Sequence, residues 1–173
     1  MQALTTARLR LRAFVTGDEE AVHRYAGDSA VCRFVTWGPN SPEDTRRFVA
    51  DVVASAGQGG EREAWTWAVV LDGDLVGTVG LTVQSRGNAR GELGYVLRRD
   101  RRGSGLTTEA AAAVLEFAFG PAGLARVEAT CRPENSGSRR VLEEIGMQRE
   151  GLLRSHVVVR GERRDSLLHA AVR

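Results

Sequence analysis

The chain of 173 residues is 42% hydrophobic and 27% charged, and its formal net charge is +2. These values are typical of one soluble globular domain, here expected to span residues 1–173, and they argue against a general affinity for nucleic acid. The sequence contains no apolar run of about 18 residues, no amino-terminal signal segment and no metal-ligand spacing. We therefore expect a cytoplasmic protein without a membrane partner or a metal.

The amino-terminal third is predicted to contain one strand and three helical segments. Leucine and arginine alternate in the strand, which indicates that one of its faces is exposed. Ser41 and Pro42 begin the longest helix, because serine caps helices and proline suits their first position. A glycine-rich break at 57–60 separates the helices from a region rich in strands. The segments are a strand at 8–14 and helices at 18–25, near 28–34 and at 42–56.

The rest of the chain alternates strands with helices. Asp72-Gly73-Asp74 separates two apolar runs and predicts a hairpin. A helix that begins after Gly103 ends at Gly120-Pro121, because proline cannot continue it. Further elements are strands at 64–71, 75–84, 90–98 and 124–131, a helix at 136–145, and a hairpin of strands at 147–159 and 163–172. The pattern predicts an α/β (α+β) protein with a mixed sheet of about seven strands and about four flanking helices.

The most informative motif is a basic, glycine-bearing turn between a strand and a helix, RRDRRGSGL at 98–106. Unpaired amides of a first helical turn attract anions, and glycines let a phosphate approach the backbone. The chain has no lysine, which excludes a Walker A loop, and Thr108 replaces the third glycine of a dinucleotide fingerprint. From the turn alone, a phosphate ligand, nucleic-acid phosphate and an ordinary basic loop are all open interpretations.

Motifs along nearly the whole chain narrow this choice. The segments GELGYVLRRDRRGSGLTTEAAAAVLEFAF and ARVEATCRPENSGSRRVLEEIGMQREGLLR resemble the GNAT acetyltransferases, in particular their RimJ/RimL-like branch. The opening LTTARLRLRAF and the closing RGERRDSLLHA are similar to the first strand and last hairpin of that branch. The resemblance implies a GNAT fold with a mostly antiparallel sheet. It also implies an N-acetyltransferase that moves an acetyl group from acetyl-CoA directly to a primary amine in a ternary complex.

By this resemblance, acetyl-CoA is the cosubstrate and the turn is its binding site. Backbone groups at Leu97 and Arg98 would hold the pantetheine arm and polarise the thioester carbonyl, and the nearby arginines would neutralise phosphate groups. Asp100 stands where the family usually has glutamine or arginine, so backbone amides are expected to bind phosphate. Asn135 would bond the pantetheine arm, although it is also a good helix N-cap. The amides expected at the pyrophosphate are those of Arg102, Gly103, Ser104, Gly105, Leu106 and Thr107.

Glu92 and Ser138 are the candidate catalytic residues. Glu92 is the candidate general base; because the ordinary pKa is about 4.3 for glutamate and about 10.4 for an alkylammonium, it would act through water on a desolvated amine. An ordinary solvated strand glutamate is the alternative. Many GNAT enzymes have a tyrosine that acts as the general acid seven residues after the asparagine, but in this sequence that position holds Leu142. Ser138 or water is therefore expected to protonate the departing thiolate.

Trp37 is the candidate acceptor-binding residue, since the corresponding loop of RimJ/RimL-like proteins lines the acceptor cleft. It would stack on a ligand or attract a cation, and a tryptophan packed on the sheet is the alternative. The expected acceptor is a small-molecule amine, for example an antibiotic; a protein or peptide amino terminus is the second choice. Rival hypotheses are a non-catalytic acyl-CoA-binding domain and, less favoured, a nucleic-acid binder using 98–102. A homodimer is one option for the assembly.

Overall fold

A computed structural model describes residues 1–56 and 63–173, and one mixed sheet dominates the described part of the chain. The predicted glycine break at 57–60 lies outside these residues. The strands are β1 (Leu4–Thr5), β2 (Leu9–Arg12), β3 (Ala64–Leu71), β4 (Asp74–Ser85), β5 (Arg90–Leu97), β6 (Arg126–Cys131), β7 (Gln148–Val159) and β8 (Glu162–Val172). The helices are α1 (Glu19–Ala26), α2 (Pro42–Ala56), α3 (Leu106–Phe119) and α4 (Ser136–Glu144).

The strands are arranged in the order β1-β2-β3-β4-β5-β6-β8-β7. Neighbouring strands are antiparallel except for β5 and β6, which are parallel because helix α3 connects them on one face of the sheet. The sheet and helices confirm the predicted α/β class.

Helices cover both faces of the sheet and enclose two hydrophobic cores. Alternation along β3 sends Trp67 and Val69 to one face and Ala68 to the other. The larger core lies under α3 and α4, where the Trp67 ring meets Phe117 edge-on at 5.2 Å between centroids. The smaller core lies under α1 and α2 and includes the fully buried Val22. Such burial of large apolar side chains stabilises the domain by about 1.5–3 kcal/mol each.

The parallel pair β5–β6 separates along its length. Its register covers only Arg90–Glu92 on β5 and Arg126–Glu128 on β6, whereas β5 continues to Leu97 alongside β4 and β6 continues to Cys131 alongside β8. The two strands therefore diverge into a V in the middle of the sheet. The divergence leaves main-chain groups on the inner edges of both strands without a strand partner.

Two local differences separate the described elements from the predicted ones. The described sheet has eight strands, because the two-residue β1 pairs with β2, and so short a segment has no readable alternation. The helical segment near 28–34 is only a 3₁₀ turn at Cys32–Phe34. The start of α2 is confirmed, since the Asp44 amide donates to Ser41 Oγ at 3.1 Å. In the described residues, no helix has the length and apolarity to cross a membrane.

Candidate active site

The turn between β5 and α3 presents its backbone outward. Gly103 and Gly105 have φ values of +80° and +76°, a left-handed conformation that glycine adopts without strain. Within the described part of the chain, the amides of residues 103–107 have no hydrogen-bond acceptor, and those of Leu106 and Thr107 belong to the first turn of α3. A Cβ at position 103 would meet no atom within 4 Å. We call this segment, residues 103–107, the phosphate turn.

Arg102, also predicted to offer its amide, is used differently. Its amide donates to the Arg99 carbonyl at 3.3 Å, and its Nε donates to the Leu97 carbonyl at 3.3 Å. These bonds close the chain into the 3₁₀ turn at Arg99–Arg101 that precedes the glycines. The Arg102 amide, which was predicted to bind phosphate, therefore has an acceptor within the turn that precedes residues 103–107.

The arginines beside the turn do not all face a phosphate ligand. The Arg98 guanidinium, 9% exposed, donates to Asp74 at 2.7 Å and to Asp100 at 2.7 Å, and Arg101 pairs with the same two carboxylates at 3.5 Å. Hydrogen bonds from Arg98 hold the pKa of Asp74 and Asp100 below their ordinary values. Phosphate neutralisation by the arginines of this segment stays a prediction, and the two aspartates already balance the charges of Arg98 and Arg101. The backbone of Arg98, predicted to hold the pantetheine arm, is also occupied, because its amide donates to the Val76 carbonyl at 2.8 Å and its carbonyl accepts from the Arg101 amide at 3.1 Å.

A tie from the amino terminus holds the first turn of α3. Glu109 accepts hydrogen bonds from Thr6 Oγ1 at 2.5 Å, the Arg8 amide at 2.8 Å and Arg8 Nε at 2.6 Å. Burial alone would raise the pKa of Glu109, but these bonds lower it overall. Arg8 also donates to the Ser104 carbonyl at 2.9 Å, so one guanidinium links β2 to the phosphate turn and α3.

A cleft of about 640 Å³ lies where β5 and β6 diverge. It reaches Val96, two residues before the chain leaves β5 at Arg98, and it opens between the sheet and the helices α1 and α2. Three residues predicted from distant parts of the sequence, Trp37, Glu92 and Ser138, line this one cavity. Trp37 is 39% exposed at the rim. The aromatic side chains of the lining are Tyr25, Phe34, Trp37, Phe48 and Tyr95.

Glu92 differs from the glutamate beside it in the sheet. Its registered partner Glu128 is neutralised by Arg90 at 3.2 Å and Arg126 at 2.8 Å. In residues 1–56 and 63–173, the Glu92 carboxylate instead accepts one hydrogen bond, from the neutral amide of Gln84 at 3.0 Å. Two adjacent carboxylates thus have different environments, and the one in the cleft lacks a guanidinium within the described residues.

Asn135 and Ser138 lie together at the start of α4. The Asn135 side chain accepts from the Ser138 amide at 3.1 Å, so the predicted N-cap is present. This bond uses the side-chain oxygen of Asn135, and its amide NH₂ is a separate donor. The cap also fixes the backbone of Ser138 beside the cleft.

A tyrosine that sequence reasoning missed contacts Ser138. The Tyr95 hydroxyl lies 2.8 Å from Ser138 Oγ and 3.2 Å from the Ser138 carbonyl oxygen. Burial raises the pKa of Tyr95, which keeps the hydroxyl protonated and able to donate. Leu142, at the position where the family usually has a tyrosine, is 1% exposed and belongs to the larger core. The only available signal was alternation along β5, which sends Tyr95 to the same face as Leu93 and Leu97.

The β7–β8 hairpin closes over the loop that carries Trp37. Arg160, at the tip of the hairpin, donates from one guanidinium nitrogen to the Cys32 carbonyl at 3.0 Å and the Gly38 carbonyl at 3.2 Å. These bonds hold the loop on both sides of Trp37, so the rim of the cleft has a defined position.

Comparison with known proteins agrees with this architecture. The family profile of the acetyltransferase (GNAT) domain matches residues 8–148. The uncharacterized N-acetyltransferase YnaD of Bacillus subtilis is 33% identical over 168 residues, covering 96% of this chain and 95% of YnaD.

Two solved structures are similar over almost the full chain. A GNAT-family acetyltransferase from Bacillus anthracis has a TM-score of 0.86 and 34% identity, covering 99% of this chain and 98% of that one. Mycobacterium smegmatis RimJ, in complex with CoA-disulfide, has a TM-score of 0.84 and 28% identity, covering 95% and 81%. From the matched domain, the identity to YnaD and the shared fold, we conclude that the chain belongs to the GNAT family of acetyltransferases.

Proposed function

We propose that this protein transfers the acetyl group of acetyl-CoA to a primary amine, directly and within a ternary complex. The observation that carries the proposal is the cleft at the β5–β6 divergence, which both Glu92 and Ser138 line. Strand β5, which forms one wall of the cleft, leads into the turn whose amides have no acceptor within the described residues. The similar M. smegmatis RimJ was solved with a CoA disulfide, which supports coenzyme A as the ligand of this fold.

The chain has the groups that coenzyme A requires. Within the described residues the amides of 103–107 have no acceptor, and they lie at the positive end of α3, where they would bind the pyrophosphate. Free main-chain groups on β5 between Glu92 and Leu97 would hold the pantetheine arm, and the side-chain NH₂ of Asn135 would donate to it. When bound, acetyl-CoA supplies the activated acetyl thioester. Exposed Arg99 and Arg102 are the arginines of this segment best placed to neutralise phosphate.

Glu92 would accept the proton that the amine loses as it attacks the thioester carbon. Its carboxylate lacks a described guanidinium partner, unlike that of Glu128, so it is available as a base. A water molecule would carry this proton, because a carboxylate is too weak a base to take it directly from an alkylammonium. The aromatic lining would desolvate the amine and lower its pKa, which favours the neutral form that attacks.

Ser138 would give a proton to the departing thiolate. Tyr95 remains protonated, so its hydroxyl can donate to Ser138 Oγ. In that arrangement the serine hydrogen would be directed away from Tyr95 and into the cleft. As Ser138 loses its proton, the Tyr95 hydroxyl can replace it along the same 2.8 Å hydrogen bond. The tyrosine absent at Leu142 is thus supplied from β5, behind the serine.

The acceptor side of the cleft fits a small amine or a narrow peptide end. A cavity of about 640 Å³ with several aromatic walls encloses a molecule of modest size and leaves no room for a folded protein surface. We favour a small-molecule amine over a protein amino terminus for this reason.

The test is a thiol-release assay with acetyl-CoA and a panel of small amines and peptides. We expect release of CoA with at least one acceptor, and a rate about 100-fold lower for Glu92→Gln. Glu116→Gln, a change to an exposed glutamate of α3, is the matched control and should retain the rate. Tight acetyl-CoA binding without turnover of any acceptor would instead support the rival non-catalytic acyl-CoA-binding domain.

A further inference from the structure

Arg132 places a positive charge inside the cleft. It is the first residue after β6, it lines the cavity, and it is 8% exposed. Residues 92 and 128 are register partners, and alternation along β6 turns Glu128, Thr130 and Arg132 to the same face of the sheet as Glu92. Ala129 and Cys131 point the other way, into the larger core. Arg132 therefore shares the acceptor side of the cleft with Glu92.

The charge of Arg132 is not balanced as buried charges normally are. One terminal nitrogen donates to the Asp165 carbonyl at 2.6 Å, which fixes the guanidinium in place. The Nε is buried without an acceptor, and no carboxylate of the described residues lies within 4.0 Å. Burial lowers the pKa of Arg132, and the nearby acids Glu134 and Asp165 do not offset it. An isolated buried cation is costly, and native proteins pair such groups or bind ligands with them.

Arg98 is a second buried arginine with which the pairing of Arg132 can be compared. It is buried to almost the same degree, 9% exposed against 8%, yet two aspartates hold its guanidinium at 2.7 Å. Among the described residues, Arg98 is therefore fully paired beside the phosphate turn, whereas Arg132 in the cleft has no carboxylate partner. The difference indicates that a ligand supplies the missing anion at Arg132.

We propose that Arg132 is an anion-binding subsite for the acceptor, so that the substrate carries a carboxylate or phosphate as well as its amine. This inference rests on the proposed acetyl transfer. A guanidinium with free nitrogens matches such oxyanions through paired hydrogen bonds. Arg132 is four residues beyond Glu128, about 13 Å along the strand, so the anion and amine are separated by several bonds.

The test uses ω-amino carboxylates of three to eight carbons, each compared with its carboxamide and its unsubstituted alkylamine. With acetyl-CoA and the wild-type enzyme, we expect kcat/KM about tenfold higher for the best carboxylate than for its carboxamide, because the neutral carboxamide offers the guanidinium one acceptor oxygen and no charge. In Arg132→Gln this ratio should fall to near one, and in Arg132→Lys it should be intermediate. Arg140→Gln, at an exposed arginine of α4, is the matched control and should keep the ratio.

Two further arms identify the source of the anion. The same acceptors are assayed with succinyl-CoA; a dependence on Arg132 that appears only with this donor would assign the anion to the acyl group and overturn the proposal. Equilibrium binding of N-acetyl-6-aminohexanoate and its carboxamide is measured without turnover. If the carboxylate binds more tightly than the carboxamide and Arg132→Gln abolishes this difference, the subsite is supported. This holds even if no acceptor releases CoA, a result that would refute only the proposed function. CoA release with no preference for carboxylates would refute the subsite alone.

Discussion

In the proposed function, the phosphate turn and the acceptor side of the cleft would recognise their ligands in opposite ways. The turn offers main-chain amides from one continuous segment, 103–107, and its flanking arginine Arg98 is withdrawn into an aspartate cluster. The acceptor side is made of side chains from the loop at Trp37, from β5 at Glu92 and from the end of β6 at Arg132. Backbone recognition tolerates many sequences, whereas a side-chain site changes its ligand with a single substitution. The two regions therefore differ in how freely specificity can vary.

The largest expected effect is on kcat and concerns Ser138, the candidate catalytic residue at the start of α4. Ser138→Ala removes the hydroxyl that we propose protonates the thiolate, and we expect kcat to fall about 100-fold with little change in the Kd for acetyl-CoA. The expectation is checked by steady-state kinetics and calorimetry. Ser136→Ala, at an exposed serine of the same helix, is the control. An unchanged kcat in Ser138→Ala would leave Tyr95 and Ser138 as structural residues only.

The aspartate cluster distinguishes support of the turn from contact with its ligand. Asp74→Asn should lower the free energy of unfolding by about 2 kcal/mol at pH 7, because Arg98 loses a charged partner. The pKa of Asp74 is depressed in the folded state, so its stabilisation is present above the unfolded value near 3.9 and is lost as the pH falls through the folded pKa. Urea unfolding should therefore show a smaller difference from wild type at pH 2 than at pH 7.

Asp72→Asn is the control for this change, since Asp72 is an exposed aspartate in the same β3–β4 turn. Its effect on stability should be small at both pH values. A difference between wild type and Asp74→Asn that is equal at pH 7 and pH 2 would contradict the role of the charged pair.

Gly103→Ala tests whether the main-chain amides of the phosphate turn bind CoA. A side chain at φ +80° costs about 1–2 kcal/mol and disturbs the amides of the phosphate turn, so the Kd for CoA should rise about tenfold. Gly161→Ala introduces the same strain at φ +81° in the β7–β8 hairpin, also without an atom within 4 Å. Calorimetric titration of both variants separates strain from ligand binding. Equal losses of CoA affinity would show that the turn has no special part in binding.

Trp37→Ala gives the smallest expected effect. Loss of one aromatic wall at the rim should raise the KM for the acceptor about threefold and leave the Kd for acetyl-CoA unchanged. Initial rates at varied acceptor concentration measure the first quantity and calorimetry the second. A change in the cofactor Kd would show that the two regions are coupled through the loop that Arg160 holds.

Features written in contiguous sequence were predictable. Turn residues at Asp72-Gly73 and Gly120-Pro121 and the caps at Ser41 and Asn135 placed most elements close to their observed bounds. Each of these signals depends on local conformational preference, which tertiary packing here reinforces. The two-residue β1 was missed because its only support is pairing with β2.

Within the site, the phosphate turn was predictable and the acceptor side largely was not. The positive φ values and free amides of 103–107 follow from two glycines before a helix. The contact of Tyr95 with Ser138 depends on how α4 docks against β5, and no local pattern specifies that distance. The argument for Arg132 depends on the lack of a carboxylate partner among residues 1–56 and 63–173, and such a lack is visible only after the chain has folded.

The tie between Arg8 and Glu109 has a consequence for how the protein folds. The two residues are separated by 101 positions, so the phosphate turn receives its support from a distant part of the sequence. Such a contact forms only after a long loop has closed, and topologies rich in such contacts fold slowly. During synthesis the segment that includes Arg8 leaves the ribosome before Glu109 does, so the contact cannot form until the later segment has emerged. Shortening the chain before Leu9 should therefore delay formation of the phosphate turn more than that of the hairpin at the carboxyl end.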